Sequence, residues 1–311
     1  MPRTRLLSSH ALLAALLMAA SGCDTTSDLT DSAPNVAGFR GAVSPDGFSD
    51  VNARLDAALA EAGPVTVAAT VGHAMNAASA GLSLPPTRVV LFGNPMLGTP
   101  LMQADPRVGL DLPQHILTYA GDGPGTVVAY NSPAYLQQRY GLDALPQLDL
   151  IAQALAGFTA AAAGSEPDAT PFSSPLTTAE GDGLVRVVST SDAASTRSRL
   201  RSAIEGNDAL TLVLELDHQA NAASVGLELG PAAVFVFGNP ELGTPLMNAR
   251  RTTGIDLPQK MLVYTDADGE TAVLYNDPAY LARRHGISDQ GDTIEAIAGA
   301  LAGLAATAAG L

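Results

Sequence analysis

The chain has 311 residues, of which 47% are hydrophobic and 15% charged, a composition of folded rather than disordered proteins and a length that suits about two domains. Its 16 basic residues face 31 acidic ones for a net charge of −15, and so negative a surface repels phosphate backbones and excludes nucleic acid as an expected partner. The lone cysteine, Cys23, excludes an intramolecular disulfide and, with no Cys-x-x-Cys-His, a c-type haem.

Met1-Pro-Arg-Thr-Arg5 is a positive n-region, Leu6 to Ala20 is apolar but short for a membrane span, and small residues follow. This is the pattern of an export signal over residues 1–22. The run Ala20-Ser21-Gly22-Cys23 resembles the lipobox of bacterial lipoprotein signals, with Ala20 where Leu is usual. The resemblance implies cleavage before Cys23, lipid on its sulfur, and a membrane-anchored protein facing the periplasm or the cell exterior. An ordinary leader cleaved nearby would leave a secreted protein with a free thiol instead. Residues 23–36, rich in Thr, Ser and Asp, read as a flexible tether.

Beyond the tether the chain is written twice. Phe92-Gly93-Asn94-Pro95 returns as Phe237-Gly238-Asn239-Pro240, Asp111-Leu112-Pro113-Gln114 as Asp256-Leu257-Pro258-Gln259, and Tyr130-Asn131 as Tyr275-Asn276, always 145 residues on. The first repeat domain is set at 37–163 and the second at 183–311, each large enough for its own core. The Pro-, Ser- and Thr-rich segment 164–182 reads as a linker.

Within each copy a strand at Phe39 to Val43 (Leu184 to Val188) precedes a helix whose apolar face is Phe48, Val51, Leu55, Ala58, Leu59 and Ala62. Strands are expected at Val65 to Val71 (Leu210 to Leu216), Arg88 to Phe92 (Ala233 to Phe237), His115 to Tyr119 and Thr126 to Tyr130. The alternation of Leu210, Leu212, Leu214 and Leu216 with other residues predicts one buried face. Helices follow at Pro133 to Tyr140 and about Gln147 to Ala163. The fold class is therefore α+β: two similar domains, each strand, helix, four strands and helix, with helices on one face of a mainly antiparallel sheet. The uncharged stretch Ala296 to Leu311 matches Ile151 to Gly164; both are Ala- and Gly-rich and read as helices packed on their own domains, not membrane spans.

The string Phe-Gly-Asn-Pro-x-Leu-Gly-Thr-Pro-Leu-Met, then Asp-Leu-Pro, then Tyr-Asn-x-Pro-Ala-Tyr-Leu, resembles the bacterial and archaeal family called domain of unknown function 302 in both copies. The resemblance implies a small α/β domain that pairs with another copy, here intramolecularly, and implies no established activity.

Candidate ligand-binding residues are His73, Asn94, Thr99, Asp111, Tyr130 and Asn131, with their counterparts His218, Asn239, Thr244, Asp256, Tyr275 and Asn276. His73 continues the buried phase of Val65, Val67, Ala69 and Val71, so its imidazole is expected inside its domain, as core histidine, base, or metal or haem ligand. Thr99 is expected to cap a helix starting at Pro100, where free N–H groups either bind an anion or serve only the cap. Asp111 and Tyr130 join His73 and Asn94 in one polar pocket per domain, or merely cap turns, as Ser132 and Asp277 cap the helices at Pro133 and Pro278. No metal cluster is expected, since His115 is Lys260 and His285 is Tyr140 in the other copy. With no Gly-x-Ser-x-Gly elbow and no motif about Ser79 or Ser224, no catalytic residue is named. Asp105-Pro106-Arg107 becomes Arg250-Arg251-Thr252, giving loops of opposite charge, for each other across a pseudo-twofold axis or simply for solvent. The expected function is a non-enzymatic envelope protein that binds a small ligand or an envelope protein as an internal pseudo-dimer. The alternatives are a metal or haem protein through His73 and His218, and a purely structural role.

Overall fold

The structure, a computed structural model, describes residues 33–121, 123–164 and 169–311. The leader, Cys23 and the tether through residue 32 lie outside the described residues. The end of the tether is packed, because Val36 is buried and its N–H donates to Ser174 Oγ at 3.2 Å.

The first half runs β1 (Phe39–Ser44), α1 (Phe48–Glu61), β2 (Thr66–Gly72), α2 (His73–Ser79), β3 (Thr87–Gly93) and α3 (Pro95–Ala104). A 3-10 turn (Pro106–Asp111), β4 (Gln114–Ala120), β5 (Thr126–Asn131), α4 (Pro133–Tyr140) and α5 (Pro146–Ala163) complete it. After β6 (Thr170–Ser173) the second half repeats the order as β7 (Leu184–Val188), α6 (Ala193–Glu205), β8 (Thr211–Asp217), α7 (His218–Ser224), β9 (Ala232–Gly238) and α8 (Pro240–Ala249). Its own 3-10 turn (Arg251–Ile255), β10 (Gln259–Thr265), β11 (Thr271–Asn276), α9 (Pro278–His285) and α10 (Gly291–Ala309) follow. The α+β class stands. Short helices nevertheless interrupt the four strands expected in succession, α2 and α7 being absent from the sequence reading.

Both sheets have the same order, β2-β3-β4-β5-β1 and β8-β9-β10-β11-β7, with every neighbouring pair antiparallel. Within the segment expected to be a flexible linker, β6 instead extends the first sheet by pairing with β1. Thr178 farther along is buried.

One face of each sheet carries its own helices. Val90, Ile116 and Val128 meet Leu55 of α1 and Leu155 of α5, while Phe235, Val263 and Val273 meet Leu200 of α6 and Leu301 of α10. Of the described helices, α10 is long and apolar enough to cross a membrane, yet Ile297, Leu301 and Ala305 of that helix lie in this core. The opposite faces turn toward each other. Val89, Leu91, Leu117 and Tyr119 of the first sheet cluster with Val236 and Ile255 of the second half, and Val234, Leu262, Tyr264 and Leu274 cluster with Val108 and Leu110 of the first. The result is two sheets between outer helices, each 3-10 turn lying on the other half's sheet. That is why β4, β5, β10 and β11 are buried almost end to end rather than in alternation.

A β-bulge changes the phase of each edge strand, falling between Val67 and Ala69 in β2 and between Leu212 and Leu214 in β8. A bulge adds one unpaired residue, so side chains beyond it point to the opposite face. Leu210 and Leu212 pack on their own core, whereas Leu214 and Leu216 turn to the other half. His73 and His218, just past the strands, are carried across with them.

Helix ends obey local chemistry. Asn94, not Thr99, caps α3, its Oδ1 accepting the Met96 N–H at 3.0 Å, with Pro95 in the first turn. Thr99 and Pro100 lie inside that helix, and Asn239 and Thr244 repeat the arrangement in α8. Ser132 and Asp277 cap α4 and α9 as expected.

Gly183 is a place where the fold admits no side chain: its φ is +64°, and an added Cβ would sit 2.1 Å from Tyr280 Cγ. Gly183→Ala is expected to destabilise the protein by about 2–4 kcal/mol through left-handed strain and overpacking, read as a lowered urea midpoint with unchanged slope.

Candidate functional site

The sequence-predicted site residues separate into two settings. Asp111, Asn131, Asp256 and Asn276 are buried where the halves meet. Arg139 of α4 donates to Asp111 Oδ2 at 2.7 Å and to Asn276 Oδ1 of the other half at 2.8 Å. Arg284 of α9 donates to Asp256 Oδ2 at 2.8 Å and to Asn131 Oδ1 across the interface. Tyr135 and Tyr280 join hydroxyls at 3.0 Å, and the Arg284 guanidinium lies 4.1 Å from the Tyr135 ring centroid.

The two networks are nearly symmetric. Tyr140 donates its hydroxyl to Asp111 at 2.8 Å, and His285 Nε2 takes the same place on Asp256 at 2.8 Å. The mismatch at this position is therefore one donor exchanged for another. His115 and Lys260 differ more: Lys260 Nζ reaches Asp111 Oδ1 at 2.8 Å, while His115 Nδ1 donates to the Ile255 carbonyl at 3.0 Å. Burial alone would raise the Asp111 carboxyl, but Lys260 and then Arg139 hold it below the ordinary carboxylate range. Burial likewise opposes Asp256, which Arg284 and His285 hold down. Tyr130 and Tyr275 are buried at the ends of β5 and β11 and lie in neither cavity. Burial raises both phenols. Asp105 pairs with Arg107 of its own loop at 2.6 Å.

The second setting is a pair of cavities related by the duplication. The first-half cavity, about 320 Å³, lies between Phe92, Asn94, Thr99 and Gln114 on one side and Ile151, Leu155 and Phe158 of α5 on another. Leu214, Leu216, His218, Asn221 and Ser224 close it from the second half. The second-half cavity, about 150 Å³, has Phe237, Asn239, Thr244 and Gln259, with His73, Asn76 and Ser79 supplied by the first half. Each therefore takes its histidine from across the interface. The expected set of His73, Asn94, Asp111 and Tyr130 in one pocket is divided: Asn94 and Thr99 meet His218, and Asn239 and Thr244 meet His73.

Both histidines act as clamps. His73 Nε2–H donates to the Gly254 carbonyl at 3.1 Å and His218 Nε2–H to the Gly109 carbonyl at 3.0 Å, each into the other half's 3-10 turn. A Cβ at Gly254 would stand 2.9 Å from Leu117 Cδ1, so a side chain there would push the end of that leucine aside. Burial pushes both imidazoles down to about 4, against the raising effect of these hydrogen bonds, so they are neutral at pH 7. With Nε2 occupied, metal or haem ligation through that nitrogen would break the clamp. Among the described residues no group of three or more His, Cys, Asp or Glu is placed to hold a metal ion.

The anion reading of the Gly-Asn-Pro turn loses its donors. Met96 N–H bonds Asn94 Oδ1, and Leu97 and Gly98 N–H bond the Asn94 carbonyl. Gln114 Nε2 and Thr244 Oγ1, on residues beside the two cavities, are buried without a partner and have almost no accessible surface. Sequence reasoning passed over Gln114, Arg139 and Arg284, although each recurs at the repeat spacing. It also missed Asn76 and set Ser79 aside for want of a motif; the two lie three and six residues after His73 on a helix it did not expect.

Fold and site define an internally duplicated α+β protein whose halves share two cavities. Residues 41–162 and 185–304 match the family described as "Domain of unknown function DUF302", and the chain belongs to that family. Over 118 residues it is 36% identical to "Fluoride-specific ion channel FluC 1" of Brucella suis biovar 1 (strain 1330), a match covering 38% of this chain and 46% of that protein. The protein of the same name in Brucella abortus biovar 1 (strain 9-941) matches at 36%, over 38% of this chain and 43% of its own. The chain thus spans less than half the length of these curated relatives. A solved structure, "Crystal structure of uncharacterized conserved protein DUF302 from Bacillus stearothermophilus", is similar with a TM-score of 0.37 and 18% identity, over 40% of this chain and 98% of that one.

The buried histidines set an acid limb. His73, His115 and His218 are each lowered to about 4 from 6.5, so the unfolded chain binds protons first as pH falls. Stability present above about pH 6.5 is expected to fall toward pH 4 by up to roughly 1.4 kcal/mol per pH unit for each histidine. Urea titrations from pH 7 to 4.5 should show it, with a shallower slope in His73→Gln combined with His218→Gln.

Proposed function

We propose that the protein is a ligand-binding protein of the cell envelope, tethered by lipid on Cys23, whose halves pair internally to form two small-molecule sites. The observation that carries the ligand reading is the pair of cavities shared between the halves, each lined mainly by apolar side chains with a few polar ones, Asn94, Thr99 and Gln114 in one and Asn239, Thr244 and Gln259 in the other. Concave, mainly apolar spaces with a few polar groups are the usual form of small-molecule sites. Enzymatic turnover finds no support in the lining, where His218 and His73 are committed to structural hydrogen bonds and Ser79 and Ser224 donate to the carbonyls of Asn76 and Asn221 at 2.7 Å. Ion conduction is not carried over from the relatives' name, since what matches here is an α+β domain.

A fragment panel followed by amide NMR tests the site. Binders are expected to shift signals from Asn94 to Leu97 and from His218 to Ser224 in the same titration, and Ala154→Phe, which places a ring in the first cavity, should abolish those shifts. Shifts confined to one half, or none from any fragment, would remove the shared-site reading. The tether is tested separately: full-length protein expressed in a bacterium fed radiolabelled palmitate should carry label, and Cys23→Ser should lose it.

A further inference from the structure

An antiparallel sheet leaves main-chain donors and acceptors unpaired along both of its edges, and proteins blunt or cover such edges. Three of the four edges here are treated in this way. β2 and β8 are bulged and lie against each other across the halves. β6 is the outer edge of the first sheet. Ser174 N–H donates to the Phe39 carbonyl at 2.9 Å, so the alternate residues Thr170 and Phe172 bond β1 and Pro171 points outward, where a proline offers no donor.

The fourth edge is β7, which ends the second sheet with no strand beyond it among the described residues. Ser189 N–H donates to the Thr271 carbonyl and Asp277 N–H to the Gly183 carbonyl, both at 2.8 Å. By the alternation of an antiparallel ladder, Val185 and Val187 then bond β11, while the N–H and C=O groups of Arg186 and Val188 point away from the sheet. The strand reads Leu-Val-Arg-Val-Val, without proline or bulge. Its one charge does not guard the edge, because Arg186 is held over its own sheet by the Tyr264 hydroxyl, Asp266 and Glu270. The first half shows what a strand laid along this edge does. Val43, the counterpart of Val188, is 2% exposed where β6 pairs with β1, and Val188 is 40% exposed.

We infer that β7 is a self-association surface: two copies of the protein join their second sheets, β7 against β7, antiparallel about a twofold axis. The other edges of a second copy are bulged or blocked by proline, so the strand it can offer is the same one, and a self-complementary contact of this kind closes as a dimer. The register follows from charge. An axis at Arg186 would set two guanidinium groups directly opposite each other, whereas an axis at Val187 sets Arg186 opposite Val188 of the second copy and lets each of those pairs exchange both of its hydrogen bonds. A shift to Val185 would waste Leu184, whose N–H already donates to the Gly181 carbonyl at 3.1 Å. The joint is separate from the inner sheet faces that pair the halves and from both shared cavities.

Light scattering of the purified protein at about 100 µM, a concentration suited to a contact this small, is expected to give the mass of two chains. Val188→Pro removes an outward donor and leaves the β11 ladder intact, and Val188→Lys places a cation opposite Arg186. Each should weaken dimerisation by about tenfold or more, while circular dichroism and the urea midpoint show the fold retained. In a Cys23→Ser background, Val187→Cys brings its Cα to about 4.5 Å from its mate across the axis and should give a disulfide-linked dimer under mild oxidation. Ala156→Cys, on the exposed side of α5, should not. A protein that is monomeric at this concentration overturns the proposal and leaves the edge to water or to a strand of another protein. Association that both Val188 variants leave unchanged, or Ala156→Cys linking as readily as Val187→Cys, puts the contact on another surface and overturns it as well.

Discussion

Each sheet in this protein has two apolar faces and helices of its own for one of them. The other face, with Val89, Leu91, Leu117 and Tyr119 in one half and Val234, Val236, Leu262 and Tyr264 in the other, is covered by the opposite half. Burying one such side chain contributes roughly 1.5–3 kcal/mol. The set on one face is thus comparable with the whole net stability of an ordinary domain, about 5–15 kcal/mol. Duplication answers this constraint within one chain, because a partner joined by a short linker needs no second molecule. β6 and the buried Thr178 show the linker taking part in the pairing.

Apolar burial has no direction, and the buried polar groups supply it. Arg139 spans Asp111 of its own half and Asn276 of the other, Arg284 spans Asp256 and Asn131, and the histidine clamps run in both directions. Sliding one sheet over the other would strand buried charges, and breaking one such pair typically destabilises by about 3–5 kcal/mol. The duplication has not remained symmetric at this centre. Lys260 adds a cation to Asp111, whereas its counterpart His115 hydrogen-bonds a main-chain carbonyl and leaves Nε2 buried without a partner. The chemistry is that of an interface between two unlike halves.

Much of the secondary structure was legible because local rules decided it: the β5 and β11 strands, and the helices opened by Ser132-Pro133 and Asp277-Pro278 and closed by Gly141 and Gly286. What was not legible followed from contacts between halves. Counting alternate residues from Val65 placed His73 inside its own domain, and a single extra residue at the bulge reversed the answer. Period-two reasoning carries no signal for such an insertion, since Ala68 and Val213 suit either phase. The Thr99-Pro100 pair predicts a cap, but the earlier Asn94-Pro95 pair offers the same chemistry and wins by starting the helix at Pro95. By residue name Tyr140 and His285 differ between the copies. In space both are donors to an aspartate.

The cavities fall where the duplicated plan is least able to close itself. β2 and β8 are the far edges of their sheets, and the bulge that turns their ends toward the other half takes Leu214 and Leu216 away from their own helices. The space beside α3, lined by these two leucines, is bounded by α7 of the opposite half, and the helix that forms this wall begins with the histidine that grips the first half's 3-10 turn at Gly109. Wall and clamp are one element. Anything that occupies the cavity therefore presses on a helix already engaged in holding the halves together, and the pairing of the halves in turn determines whether the cavity exists. A cavity built this way cannot be present in a separated half, which ties both shared cavities to the same packing that the two apolar sheet faces require.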